Sequence, residues 1–146
     1  LQLLGDGELK ENMMQLAGQL NIADAVEFAG LQSNVYPWLH NADVFILPSK
    51  FEGMPMTLIE AMGTGLPIIA SNVGGIPDML TDQKDAVLIE PKEDCVISAL
   101  ELIYFDEEKR KYLGRNARDR SAVFSEKTMA KRYIDVYIDA SGEEVL

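Results

Sequence analysis

Residues 44–71 read VFILPSKFEGMPMTLIEAMGTGLPIIAS, and this stretch decides the fold. Val44-Phe45-Ile46-Leu47 is a continuous apolar run, the pattern of a strand covered on both faces. Pro55 fits the first turn of a helix extending to about Thr64, and Gly65 is well placed to stop it. Leu66 to Ala70 is apolar again and reads as a second buried strand. A strand, a helix and another strand in such close succession predict a parallel βαβ unit.

The same alternation continues on both sides. Upstream, Leu1 to Leu4 reads as a buried strand stopped by Gly5-Asp6-Gly7. Leu9, Met13, Leu16, Ala17 and Leu20 recur at helical spacing within Glu8 to Leu20. Val26 to Ala29 is a short strand ending at Gly30, and Asn34 can cap a helix through Ala42 with Pro37 in its first turn. Downstream, Gly74-Gly75 is a flexible turn before a short helix from Ile76 to Leu80, and Val87-Leu88-Ile89 is the last strand. Helices follow over roughly Lys92 to Phe105, Glu107 to Val123 and Glu126 to Asp139, with a frayed SGEEVL end. The expected fold class is α/β, a Rossmann-like parallel sheet flanked by helices, in a single domain covering residues 1–146. Ligands bind such sheets beyond the carboxyl ends of the strands. The Gly5-Asp6-Gly7 turn, the loop after Gly30, the loop holding Glu52 and the Gly74-Gly75 turn are therefore expected to share one rim.

The totals exclude several classes. The chain has 146 residues, of which 47% are hydrophobic, enough for one core, and no apolar run approaches the ~20 residues that cross a bilayer. A net charge of -11 argues against a nucleic-acid surface, while leaving room for a local phosphate pocket. A single cysteine, Cys95, rules out an internal disulfide and fits a reducing compartment. The chain opens directly in a strand-like run without Met, which is the expectation for a piece of a longer protein.

Glu52 and Glu60 frame the central helix. Glu52 precedes it in the loop, and Glu60 lies in its second turn. The backbone N–H groups near Met56, Thr57 and Leu58 then point out of the helix start and, with the positive end of the helix dipole, form an anion site suited to a phosphate. Gly53 lets the backbone approach a ligand closely. Glu60 can accept hydrogen bonds from a vicinal diol such as ribose, and Glu52 from a sugar hydroxyl, so the two carboxylates can cradle a sugar nucleotide. The same spacing also fits a plain capped helix with acidic residues at its start, each worth about 0.3–1 kcal/mol.

FEGMPMTLIEAMGTGLPIIAS resembles the Glu-x7-Glu segment of family 4 (group 1) retaining glycosyltransferases of GT-B architecture. LLGDGEL, VEFAG, NADVFILPS, SNVGGIPDML, AVLIEP and KRKYLGRNARDR resemble further markers of that family's C-terminal, nucleotide-binding domain, in the right order along nearly the whole chain. The resemblance implies an enzyme that transfers a sugar from a nucleotide donor with retention at the anomeric carbon, without metal or cofactor. It gives Glu52 the catalytic position against the donor-sugar hydroxyls and Glu60 the ribose. The backbone of Gly53, Met54, Pro55, Met56 and Thr57 would meet the sugar and diphosphate, and that of Leu31 and Gln32 the base.

The resemblance also implies that the family's Gly-Arg…Lys motif, its first strand and its acceptor domain precede Leu1. The chain alone would then be inactive, and its sheet would pair across a gap, borrow a strand in a homodimer, or expose edges. The implied partners are a nucleotide-diphosphate sugar and a carbohydrate or lipid-linked acceptor, with no nucleic acid, in a cytoplasmic enzyme peripheral to the inner face of a membrane. A sugar-nucleotide 2-epimerase of the same architecture and a non-catalytic nucleotide-binding module are the alternative functions.

Other conspicuous residues have simpler readings. His40 fits a helix end and Cys95 a packing position. Met13, Met14, Met62, Met79 and Met129 read as core filling, while Met54 and Met56 flank the proposed site. Lys109, Arg110, Lys111, Arg115, Arg118 and Arg120 read as a solvated helix face or, alternatively, an attraction for anionic lipid. Met129, Tyr133, Val136 and Tyr137 form an apolar helical stripe. Two positions depart from the family pattern: TDQKDAVLIEP lacks a Gly often found in that turn, and Asp78 stands where Glu is frequent.

Overall fold

The computed structural model describes residues 1–141. In chain order the elements are β1 (Gln2–Leu4), α1 (Lys10–Gln19), β2 (Glu27–Gly30), α2 (Tyr36–His40), β3 (Phe45–Leu47), α3 (Met56–Thr64), β4 (Ile68–Ser71), α4 (Ile76–Met79), β5 (Val87–Ile89), α5 (Glu93–Phe105), α6 (Glu107–Ser121) and α7 (Glu126–Ser141). Short 3-10 turns at Ala23–Ala25 and Ala122–Phe124 complete them. The expected alternation is all present, with ends shifted by a residue or two. The expected fraying of SGEEVL falls on residues 142–146, outside the described residues, except for Ser141, which ends α7.

The strands are parallel but form two ladders rather than one sheet. β1 pairs with β2, with Leu3 opposite Phe28, and β3-β4-β5 form the second sheet in that order. Closure of the expected gap by direct pairing does not occur among the described residues: β1 pairs only with β2, and β3 only with β4. The chain accordingly divides into two compact units, Leu1–Pro37 and Trp38–Leu146, with α2 spanning the boundary.

In the first unit, Gly5 donates its N–H to the Gly30 carbonyl at 2.8 Å, so the turn after β1 and the end of β2 meet. The Asn34 side chain accepts the Tyr36 N–H at 3.1 Å, as expected of a helix cap. The expected burial is absent. Ala17 is the one buried residue of α1, whereas Leu9, Met13, Leu16 and Leu20 stay exposed, and β1 is exposed at Gln2 and Leu4. A two-stranded ladder has too little surface to cover both a helix stripe and its own strands. Met13 and Met14 are therefore exposed rather than core residues; in the second unit Met129 of α7 is exposed too, while Met62 and Met79 are buried as expected.

The second unit holds the core. Every residue of β4 is buried, as a central strand between two parallel neighbours requires. Leu58, Ala61 and Met62 of α3 are buried at helical spacing, as are Ala99 and Ile103 of α5 and Leu113 and Ala117 of α6. Cys95 is half-buried and packs against this cluster, as a packing residue should.

The basic residues of α6 are less idle than a solvated face. Arg110 donates to the Ile103 and Tyr104 carbonyls at the end of α5, both at 2.7 Å. Arg120 donates to the Met79 and Asp78 carbonyls at the end of α4, at 3.1 and 3.2 Å. Each satisfies carbonyls that a helix end leaves open and places a cation at its negative pole.

Candidate donor site at the carboxyl end of the second sheet

Register places the site. Leu47 of β3 lies opposite Ala70 of β4, and Ser71 opposite Ile89 of β5. The three strands therefore end at one level, and the segments that follow them, from Pro48, Asn72 and Glu90, leave from one edge of the sheet. That edge carries Glu52, Gly53, Gly74 and Gly75.

The start of α3 is left open. Pro55 is the cap residue of α3 in extended conformation, no side chain caps the end, and no acidic residue sits in the first turn. This geometry departs from the capped, acid-flanked helix start that the spacing alone also allowed. The Leu58 N–H is already taken by the Pro55 carbonyl at 3.1 Å, so the expected trio of free donors reduces to Met56 and Thr57. The other end closes as expected, with Gly65 in the left-handed conformation at φ 80 and its N–H on the Met62 carbonyl.

Glu52 is half-buried in the loop before α3, and Ser49 donates a hydrogen bond to its Oε1 at 2.7 Å. Its main chain is held as well, because the Glu52 carbonyl accepts the Gly75 N–H at 3.3 Å. The Gly74-Gly75 turn is consequently a close backbone crossing and not simply a flexible hinge. A Cβ on Gly74 would lie 1.7 Å from the Glu52 carbonyl oxygen, and one on Gly75 would lie 2.1 Å from that of Gly53; Gly74 also has φ +55. Glycine is required at both positions.

Glu60 is half-buried and makes no side-chain hydrogen bond or ion pair among the described residues. Gly53 and Thr57 are exposed and Pro55 half-buried, while Met54 and Met56, each 63% exposed, line a groove with Ile59, Phe124, Met129 and Tyr133. Met129, Tyr133 and Val136 of the apolar stripe of α7 line that groove, and all three stay exposed, as does Tyr137. Leu31 and Gln32 belong to the first unit. Leu31 is 80% exposed, and the Gln32 side-chain amide is committed to the Ala29 carbonyl at 2.6 Å.

The clearest electrostatic perturbations lie elsewhere. A hydrogen bond and the charge of Lys111 hold the Glu107 carboxyl below its ordinary range, and Lys92 does the same for Glu90. Among the described residues no cluster of three or more His, Cys, Asp or Glu side chains is arranged to hold a metal.

Reading residue types missed two features of this site. Ser49 is one of them: a lone serine in a loop carries no pattern that pairs it with Glu52. The Gly74-Gly75 pair was noticed, but its crossing partner is distant in sequence and left no local signal.

Residues 1–120 match the family model described as "Glycosyl transferases group 1". The chain belongs to that family. It is 31% identical over 139 residues to the lipopolysaccharide core biosynthesis glycosyltransferase LpsD of Rhizobium meliloti, covering 94% of this chain and 40% of that protein. It is likewise 31% identical to the Escherichia coli UDP-Gal:alpha-D-GlcNAc-diphosphoundecaprenol alpha-1,3-galactosyltransferase, covering 94% and 36%. Among solved structures, sucrose-phosphate synthase from Thermosynechococcus elongatus superimposes with a TM-score of 0.85 at 26% identity, over 97% of this chain and 38% of that one. The group 1 chain thus has the Rossmann-like α/β fold of GT-B glycosyltransferases and spans about two fifths of the relatives it matches. Among its described residues no helix is long and apolar enough to cross a membrane.

Proposed function

We propose that the chain is the donor-binding part of a retaining glycosyltransferase that builds a polysaccharide or glycolipid from a nucleotide-sugar. The observation that carries this reading is the uncapped start of α3 with a held carboxylate, Glu52, just ahead of it and Glu60 one turn inside. The Met56 and Thr57 N–H groups and the helix dipole would receive the diphosphate, whose negative charge grows as it departs. Glu52 would meet hydroxyls of the sugar and steady its cationic transition state, and Glu60 would hold the ribose. The helix end supplies charge stabilisation without a metal, and none is required by this reading. Transfer would need an acceptor-binding part outside this chain, so the chain alone would not turn over. Action at the inner face of a membrane belongs to the same proposal, supported by relatives named for lipopolysaccharide and diphosphoundecaprenol substrates.

Calorimetric titration of the full-length enzyme with UDP, GDP and ADP tests the reading. One nucleotide should bind in clear preference, and Glu60→Ala should weaken it about tenfold, the size of a lost hydrogen bond to a charged group. Binding of none of the three, or an unchanged affinity in the variant, would count against this use of the site. Product analysis then separates transfer from epimerisation.

A further inference from the structure

The loop after β3 contains a contact that neither the family match nor the Glu-x7-Glu spacing accounts for. Ser49 and Glu52 are both half-buried, and the serine hydroxyl reaches Glu52 Oε1 at 2.7 Å. Pro48 precedes Ser49 and fixes its own φ, so the serine leaves the strand along a restricted path. The backbone of Glu52 is pinned independently by the Gly75 N–H. A glutamate side chain with three free torsions loses rotamer entropy on being ordered. A hydroxyl that orders it beforehand removes that cost from ligand binding. Glu52 Oε2 makes no hydrogen bond among the described residues, so the contact fixes the carboxylate while leaving one oxygen for another partner.

We propose that Ser49 is a positioning residue, holding one carboxylate oxygen of Glu52 so that the other meets a hydroxyl of the bound sugar. This rests on the reading of Glu52 as the contact to the donor sugar. Ser49 itself touches neither the nucleotide nor the reacting atoms. Its effect should therefore appear only when the sugar is present.

The test compares, in the full-length enzyme, affinity for a sugar nucleotide with affinity for its free nucleotide. The sugar nucleotide is the tightest binder among UDP-glucose, UDP-galactose, UDP-N-acetylglucosamine and GDP-mannose. Ser49→Ala is expected to weaken the sugar nucleotide about tenfold while leaving the free nucleotide within about twofold. Ser49→Thr, which keeps the hydroxyl, should restore most of the difference. Adding Ser49→Ala to Glu52→Ala should change nothing further. Equal weakening of both ligands would show a merely structural serine and overturn the proposal. So would a Ser49→Ala variant indistinguishable from the wild type while Glu52→Ala loses the sugar-dependent effect. If Glu52→Ala itself leaves the ratio unchanged, or no nucleotide binds, the underlying reading of the site fails and takes this one with it.

Discussion

The two units of this chain use the same vocabulary of short parallel strands and intervening helices, yet they bury very different shares of it. In the first, α1 presents a regular apolar stripe and buries only Ala17 of it. In the second, β4 is wholly buried, and α3, α5 and α6 each bury residues at helical spacing. The difference lies in the number of strands. A third strand gives β4 neighbours on both sides, and that central strand is where a parallel sheet becomes a core. Periodicity therefore specifies which face of an element is apolar, while the neighbours decide whether that face is covered.

Truncating equivalent side chains in the two units tests this difference most directly. Ile69→Ala, at a fully buried position in β4, should destabilise the protein by about 3 kcal/mol. Leu16→Ala, at a position 52% exposed in α1, should cost less than about 0.5 kcal/mol. Urea midpoints of the two variants measure both, and similar losses would show that the first unit is held as firmly as the second.

Next in size is Gly74→Ala. Because a Cβ there meets the Glu52 carbonyl and the backbone is left-handed, the variant should lose about 2 kcal/mol and displace the Glu52 loop. Unfolding together with nucleotide affinity would register both effects. A variant of normal stability would mean the crossing is looser than its geometry.

A smaller effect than at Gly74, and of opposite sign, belongs to the turn before β5. Gln83 has φ 60, a left-handed conformation that a side chain adopts at a cost, and it stands in the turn where the family pattern often has Gly. The turn is held instead by Asp82, which accepts the Leu88 N–H at 2.8 Å, and by the buried Asp85, which accepts the Thr81 N–H. Gln83→Gly should stabilise the protein by about 0.5–1 kcal/mol, read as a raised Tm. No gain would mean that the two aspartates have already offset the strain.

How much of this was legible varies with the range of the interaction. The order and type of the main elements follow from local pattern. Asn34 marks the start of α2 and Gly65 the end of α3 through chemistry confined to a few residues. The position of the α3 start was also readable, except that the Pro55 carbonyl removes Leu58 from its open N–H groups. The gap between the two ladders was among the expected outcomes, whereas the bare stripe of α1 and the carbonyl contacts of Arg110 and Arg120 were not legible. Each depends on what stands opposite an element, and apolar or cationic residues look alike in sequence whether or not a partner arrives. The Ala23–Ala25 turn was missed for a smaller reason, since three residues are too few to show a period.

The crossing of Glu52-Gly53 with Gly74-Gly75 has a consequence for how such a protein can vary. Loops at a ligand rim usually tolerate changes of length, and relatives diversify by inserting residues there. Here two main chains pass with no room for even a methyl group between them. Neither segment can be lengthened at that point without parting from the other. Variation is left to side chains at the neighbouring exposed positions, such as Lys50, Met54 and Asn72, around a backbone whose course stays the same.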